Sequence, residues 1–319
     1  MNILLLDLMA PEAVTWLERR YSVQFRPELA LDLVALRKEA YKTRAIVFPG
    51  ETIVTRELLD FLPKLKAVGR LHAGMDNTDL DTCRERGIKV VHTGSTDVRS
   101  NAEYLLGSLL LLYRRSLLLT LMGSRHAGAL LGRELHGSTV GILGLAPAAQ
   151  MLAGMLSALG VQLIGYDPAV HHTAPIWERL QIQPLALPEL MRRADAVSVQ
   201  MLDATRFKGF VNDRLLAACK PNQLWVGLSR SALFDEAALA AALADGRIEA
   251  CILDGAEAGF PGETSPLKGL KNLLITPQLG SHTREAHLRS SLYLAHRIDE
   301  AITAQHSGLD QLPSASMHL

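Results

Sequence analysis

Two residues 23 positions apart define the chemistry this sequence can perform. Gly144 closes the apolar run Thr139–Gly144, and Asp167 closes the next one, Gln162–Asp167, with a helical pattern at Gln150–Leu159 between them. A glycine at a strand-to-helix turn lets backbone approach a phosphate, and the helix that follows presents its N–H groups to the anion. A carboxylate about 20 residues further on can hydrogen-bond a ribose 2′-hydroxyl and repel a 2′-phosphate. The pair therefore predicts a dinucleotide site that favours NAD over NADP. The turn reads Gly144-Leu145-Ala146-Pro147-Ala148-Ala149, and of a G-x-G-x-x-G fingerprint only the first glycine stands in it. Ala146 puts a methyl where backbone should approach a pyrophosphate, and Ala149 puts one where helix and strand pack. Pro147 suits an early helical position but has no N–H to donate. Gly144, Ala146, Pro147, Ala148 and Asp167 are thus the expected cofactor contacts, with NAD held weakly.

The elements that must position this loop alternate along the chain. In the first hundred residues, apolar runs at Ile3–Leu6, Ser22–Phe25, Ala45–Phe48, Ala67–Leu71 and Val90–His92 are separated by helical patterns at Pro11–Arg20, Leu29–Thr43, Thr55–Pro63 and Leu80–Gly87. Such alternation implies a parallel sheet covered on both faces. A single long helix is expected from about Ser100 to Ala127. A second series follows, with strands at Thr139–Gly144, Gln162–Asp167, Ala196–Gln200, Gln223–Leu228, Ala250–Asp254 and Leu273–Thr276, and a final amphipathic helix at Arg284–Gln305. The expected fold class is α/β, with a Rossmann dinucleotide-binding-type domain at 100–284 inserted into a first α/β domain at 1–99 plus 285–319.

Composition narrows the function classes. Lys plus Arg and Asp plus Glu are 33 each, so no basic excess points to nucleic acid. Cys83, Cys219 and Cys251 are far apart, with no CxxC or Cys/His cluster, and are expected as reduced, mostly buried thiols in a cytoplasmic protein without a bound metal. The start, MNILLLDLMAPE, has no basic n-region and is expected as a first strand rather than a signal peptide. Leu105–Met122 is apolar enough to suggest a membrane span, but Arg114 and Arg115 lie in its middle and each would cost about 2.5–3.5 kcal/mol there. A helix buried on several sides, in part by a partner subunit, is expected instead.

Piece by piece, ELHGSTVGILGL, ALGVQLIGYDP, ADAVSVQ, KPNQLWVGLSRSALFDEAAL, ACILDG and NLLITPQLGSHTREA resemble the D-isomer-specific 2-hydroxyacid dehydrogenases. The upstream run AVGRLHAGMDNTDLDTCRERGIKVVHTGSTDVRSNAEYLLGSLLLL resembles that family's substrate loop and linking helix. The resemblance covers nearly the whole chain. It implies a flavodoxin-like substrate domain, a cleft between the two domains, NAD as cofactor, a small anionic substrate, and a homodimer through the 100–127 region.

The family's catalytic set maps unevenly. Arg230, in GLSRSAL, matches the family arginine, and its planar fork after an apolar strand suits a carboxylate. Asp254 matches a family aspartate near the nicotinamide. The family histidine stands in T-P-H, whereas this chain has Thr276-Pro277-Gln278, and an amide donates a hydrogen bond but no proton near neutral pH. The family glutamate falls on Gly259. Gln200 and Leu202 replace a usual histidine and proline. His282, Glu257 and His72 are the candidate substitutes for proton transfer, each with an ordinary polar-loop explanation beside it. Ala73 and Gly74 keep small residues where family members bind a substrate carboxylate through backbone N–H groups; His72 adds bulk there.

Three functions compete. The first is an NAD-dependent oxidoreductase acting on a small 2-hydroxy or 2-keto acid with a rearranged proton-transfer site. The second is a non-catalytic dimeric relative, favoured by the joint loss of glycines, histidine and glutamate. The third is a non-redox reaction in the same place.

Overall fold

The computed structural model describes residues 2–71, 77–115, 131–201, 207–228, 230–255 and 260–304. Two compact units divide the chain: Met1–Thr96 with Arg284–Leu319, and Asp97–Thr283. In the first unit, β1 (Ile3–Leu5), β2 (Val23–Phe25), β3 (Ala45–Phe48), β4 (Ala67–Arg70) and β5 (Lys89–His92) form a parallel sheet in the order β2-β1-β3-β4-β5. That is the flavodoxin-like order. One face carries α1 (Pro11–Glu18) and the helix Arg284–Thr303, whose Leu294, Ala295 and Ile298 are buried against Ala45, Val47 and Ala67. The other face buries Leu36 of α2 (Leu33–Glu39) and Leu58 and Leu59 of α3 (Arg56–Asp60), together with Cys83 of α4 (Leu80–Glu85).

The helix expected over Leu29–Thr43 is three pieces. A 3-10 turn at Pro27–Ala30 and another at Ala40–Lys42 flank α2. The break has a local cause: the Asp32 carboxylate accepts from the N–H groups of Val34 and Ala35, which caps a new helix inside the expected one. Arg70, fully buried at the carboxyl end of β4, donates to the carbonyls of Pro49, Thr52 and Asn77 and to Thr78 Oγ1. It joins two connections of this sheet without a carboxylate partner among those contacts.

The second unit opens with α5 (Val98–Tyr113) and continues through β6 (Thr139–Leu143), α6 (Pro147–Ala158), β7 (Gln162–Tyr166), α7 (Pro175–Arg179), β8 (Gln183–Pro184), α8 (Leu187–Arg193), β9 (Ala196–Val199), α9 (Asp213–Leu216), β10 (Gln223–Leu228), α10 (Glu236–Ala244), β11 (Ile248–Asp254) and β12 (Leu273–Thr276). Its parallel strands run β12-β11-β10-β9-β6-β7-β8. The order reverses between β6 and β9, which is the Rossmann arrangement with an added edge strand. On one face Leu105, Leu109 and Leu112 of α5 and Leu152 and Leu156 of α6 cover Val140, Ile142, Leu224 and Val226. Each fully buried leucine contributes about 1.5–3 kcal/mol of apolar transfer.

Of the single helix expected from Ser100 to Ala127, residues 116–127 lie outside the described residues, and the described part is shorter than expected. It ends at Tyr113, Arg115 takes a left-handed φ of 53°, and the Tyr113 carbonyl accepts the Arg133 N–H at 2.7 Å. Arg115 Nε and Arg133 Nη2 then share the two oxygens of Glu249, at 2.5 and 3.3 Å. No helix of the described residues is long and apolar enough to cross a membrane. Cys83 and Cys251 are buried and Cys219 half-buried, and burial raises all three thiols above their ordinary range.

The helix after the glycine turn begins at Pro147, three residues earlier than the apolar pattern indicated, because proline is pre-organised for the first helical position. The turn is therefore only Gly144–Ala146. Gly144 has φ 91°, and a Cβ there would lie 2.5 Å from the Gln200 carbonyl oxygen. Gly144→Ala is expected to destabilise the second unit by about 2 kcal/mol or more. Urea unfolding followed by circular dichroism checks this, and a midpoint equal to wild type would refute the close approach.

Candidate functional site

Parallel strands place all their carboxyl ends on one edge, and in this unit that edge collects the residues singled out above. Gly144 follows β6, Asp167 follows β7, Gln200 follows β9, Arg230 follows β10, Asp254 ends β11, and Thr276–His282 ends and follows β12. His72, Ala73, Gly74, Glu257, Gly259 and Leu202 lie outside the described residues.

On the β6–β7 side, Asp167 serves the turn itself. Its Oδ2 accepts the Leu145 N–H at 2.7 Å and its Oδ1 accepts the Ala169 N–H at 2.8 Å. Each oxygen retains a lone pair that a ribose hydroxyl can use. Gln150, inside α6, donates from Nε2 to the Leu145 carbonyl at 2.9 Å. The turn is thus held from both sides, and the second of these contacts has no motif to announce it. Ala146 is the N-cap of α6 and makes no side-chain capping bond, so the first-turn N–H groups of Ala148 and Ala149 point out of the helix end. Gln200 is 3% exposed; its Nε2 donates to Ser198 Oγ at 2.5 Å, and its Oε1 is a buried acceptor with no partner among the described residues. N–H donors at a helix N-terminus, and the acceptors of a strand-end acid and of the buried, orphaned Gln200 Oε1, form a set that fits a dinucleotide. Pro147 and the Ala146 methyl reduce the number of backbone donors and the closeness of approach.

On the β11–β12 side the organising group is Asp254, 2% exposed. Its Oδ1 accepts from Thr276 Oγ1 at 2.6 Å and the Leu279 N–H at 2.8 Å, and its Oδ2 accepts the Gly280 N–H at 2.7 Å. Thr276 spends its one proton on Asp254, so the Tyr104 hydroxyl, 2.6 Å away, donates to Thr276. Burial pushes the Tyr104 phenol up, which keeps that donor protonated. Ser100 Oγ donates to the Gly280 carbonyl at 2.5 Å. Gly280 has no alternative: a Cβ would lie 2.7 Å from Asn101 Oδ1 and 2.9 Å from Asp254 Oδ2. Tyr104 and Ser100 carry no motif that marks them, and Thr276 is marked only as the first residue of Thr276-Pro277-Gln278.

The turn that this network holds is unusual at one residue. Gln278 has φ 57° and ψ 37°, a left-handed conformation that costs an L-residue about 1–2 kcal/mol. Its carbonyl accepts from His282 Nδ1 at 2.6 Å and from Ser281 Oγ at 3.2 Å. Gln278 and His282 are both exposed. Arg230 is exposed at the start of a 3-10 turn, Ser231–Leu233. Since β12, β11 and β10 are neighbours, the backbone after β10 and that after β12 are two strand spacings apart, about 10 Å. An arginine and an imidazole can close that gap onto one small ligand. Among the described residues no group of His, Cys, Asp and Glu could hold a metal ion.

Residues 113–280 match a family model described as D-isomer specific 2-hydroxyacid dehydrogenase, NAD binding domain. The (S)-sulfolactate dehydrogenase of Chromohalobacter salexigens is 34% identical over 304 residues, covering 94% of this chain and 98% of that protein. The D-3-phosphoglycerate dehydrogenase of Mycobacterium tuberculosis is 33% identical over 307 residues, covering 95% of this chain but 57% of that relative, so the chain spans little more than half of its length. A D-lactate dehydrogenase of Treponema pallidum superposes with a TM-score of 0.80 at 21% identity over 100% of both chains, a likeness of fold. With the family model covering more than half of its residues and a full-length relative at 34% identity, this chain belongs to the D-isomer-specific 2-hydroxyacid dehydrogenase family and carries that family's NAD binding domain.

Proposed function

We propose that the chain is an NAD-linked oxidoreductase for a small 2-hydroxy or 2-keto acid, or a related anion, with a rearranged proton-transfer site. The observation that carries this reading is the carboxyl edge just described, where Arg230, Asp254 and the Thr276–His282 turn follow three adjacent strands of the NAD binding domain. NADH, when bound, supplies the hydride. The chain's own residues do the rest. Asp167 takes the ribose hydroxyls, and the Ala148 and Ala149 N–H groups at the start of α6 face the pyrophosphate. Arg230 grips the substrate carboxylate in two charge-assisted bonds and draws charge toward the carbonyl oxygen as it becomes an alkoxide. Gln278 offers an amide N–H to the same oxygen but no proton. Asp254 holds the turn that carries Gln278.

A homodimer through the 100–127 region fits this reading: in its described part the apolar Leu110 and Leu111 are 42% and 37% exposed. The competing reading, a non-catalytic binding relative, is favoured by Gln278 in the histidine's place and by Ala146 and Pro147 in the cofactor turn.

Titration calorimetry separates the two. NADH is expected to bind with an affinity short of the micromolar range; absence of binding at millimolar NADH would overturn the oxidoreductase, whereas turnover of any 2-keto acid, read as loss of NADH absorbance, would overturn the binding relative. Asp167→Asn keeps an acceptor for the Leu145 N–H and removes the charge that repels a 2′-phosphate. Its NADPH-to-NADH affinity ratio is expected to rise by about tenfold or more. Arg230→Ala is expected to lower kcat/KM by about 10²–10³, with NADH affinity unchanged and Arg230→Lys recovering only part, because a point charge cannot replace the fork. Unaltered steady-state kinetics in Arg230→Ala would remove the arginine from the site.

A further inference from the structure

We infer that His282 is the proton donor of this site, with its reactive nitrogen selected by the main chain of Gln278. The inference rests on the dehydrogenase reading above and supplies what that reading lacks. His282 Nδ1 lies 2.6 Å from the Gln278 carbonyl oxygen. A carbonyl oxygen only accepts, so Nδ1 carries a proton in both the neutral and the charged ring. Nε2 is then the nitrogen that gains and loses a proton.

The ring is placed by the turn. The left-handed conformation of Gln278 aims its carbonyl at the side chain four residues ahead, and Ser281 Oγ bonds the same oxygen at 3.2 Å. The Leu279 and Gly280 N–H groups, which lie between the two residues, are both fixed on Asp254. The imidazole therefore stands against the backbone of position 278, where the family resemblance puts a histidine and this chain has an amide. A residue missing from its usual position is replaced by the same chemistry delivered from four residues downstream.

The step balances as follows. As hydride reaches the carbonyl carbon of the 2-keto acid from a dihydronicotinamide, which is thereby oxidised, the carbon–oxygen π pair moves onto oxygen. The Nε2–H bond of the His282 imidazolium breaks, the proton joins that oxygen to give the 2-hydroxy acid, and the pair left on Nε2 makes the ring neutral. The Nδ1–H bond to Gln278 is unchanged throughout.

The test compares His282→Asn with His282→Ala. Asparagine can keep a donor to the Gln278 carbonyl in the place of Nδ1 but has nothing in the place of Nε2–H. Both variants are expected to lose about 10²–10⁴-fold in kcat while binding NADH as wild type does. Added imidazole is expected to restore about tenfold or more of the loss in His282→Ala. Nitrogen NMR of the histidine ring, assigned by its absence from His282→Asn, is expected to show the Nδ1–H form in the neutral state. Wild-type turnover in His282→Asn would mean that the hydrogen bond, not the proton, is what matters, and would overturn the inference. So would an Nε2–H tautomer. A wild-type protein that binds NADH but turns over no 2-keto acid would instead overturn the dehydrogenase reading, and this inference with it.

Discussion

A single buried carboxylate organises the edge on which the chemistry is placed. An ionised group removed from water must be met by donors, and Asp254 is met by three from one turn and its flank: the Thr276 hydroxyl and the Leu279 and Gly280 N–H groups. The demand propagates. Two consecutive N–H groups pointing at one carboxylate require the chain to turn sharply after Pro277, and the residue that makes the turn is Gln278 in its left-handed conformation. That conformation is unfavourable by itself and survives because the donors are fixed, through Thr276, to Tyr104 on α5. The exposed residues at the edge are thus held by buried ones behind them.

Each unit solves a comparable problem with the opposite charge. In the first sheet Arg70 is the buried ion, and the groups it gathers are carbonyl oxygens of Pro49, Thr52 and Asn77. In the second it is an acid gathering N–H groups. A cation can order connections by their acceptors and an anion by their donors, and either fixes loops that regular strands leave undirected. At the β6–β9 reversal the constraint is steric rather than ionic. Gly144 must pass close beside the Gln200 carbonyl, which leaves no room for a side chain and brings the cofactor turn against the neighbouring strand.

Much of this architecture is written in local patterns. Alternating apolar runs and helical stretches predict both parallel sheets, and Asp167 is found by spacing alone. The boundaries that moved did so for reasons of side-chain chemistry. Asp32 caps a helix in the middle of an apolar-periodic stretch, and Pro147 starts one ahead of the periodicity. The long helix stops at Tyr113 because Arg115 and Arg133 converge on Glu249, a partner more than a hundred residues away in sequence. The candidate site was legible in position only, where a residue at a strand end suffices, as with Arg230 and Asp254 on the carboxyl edge. It was not legible where function depends on a bond between distant segments, such as Tyr104 to Thr276, or on a backbone state that glutamine does not advertise. A glycine or asparagine at position 278 would have signalled a left-handed turn; Gln278 carries no such mark, so the pairing of its carbonyl with His282 emerges only in three dimensions.

The helix Arg284–Thr303 has a temporal consequence. Its Leu294, Ala295, Ile298 and Ile302 pack into the core around Ile3, Leu5, Ala45 and Val47, so residues made after the second unit finish a sheet whose strands are made before it. On the ribosome, the β6–β12 unit has all of its strands while that face of the earlier sheet is covered by α1 alone. Until the Arg284–Thr303 helix arrives, the first sheet exposes a strip of Ile, Leu, Val and Ala to solvent, the kind of surface on which chaperones act and aggregation begins. The second unit thus has its strands complete first, and the first unit waits for a helix made after it.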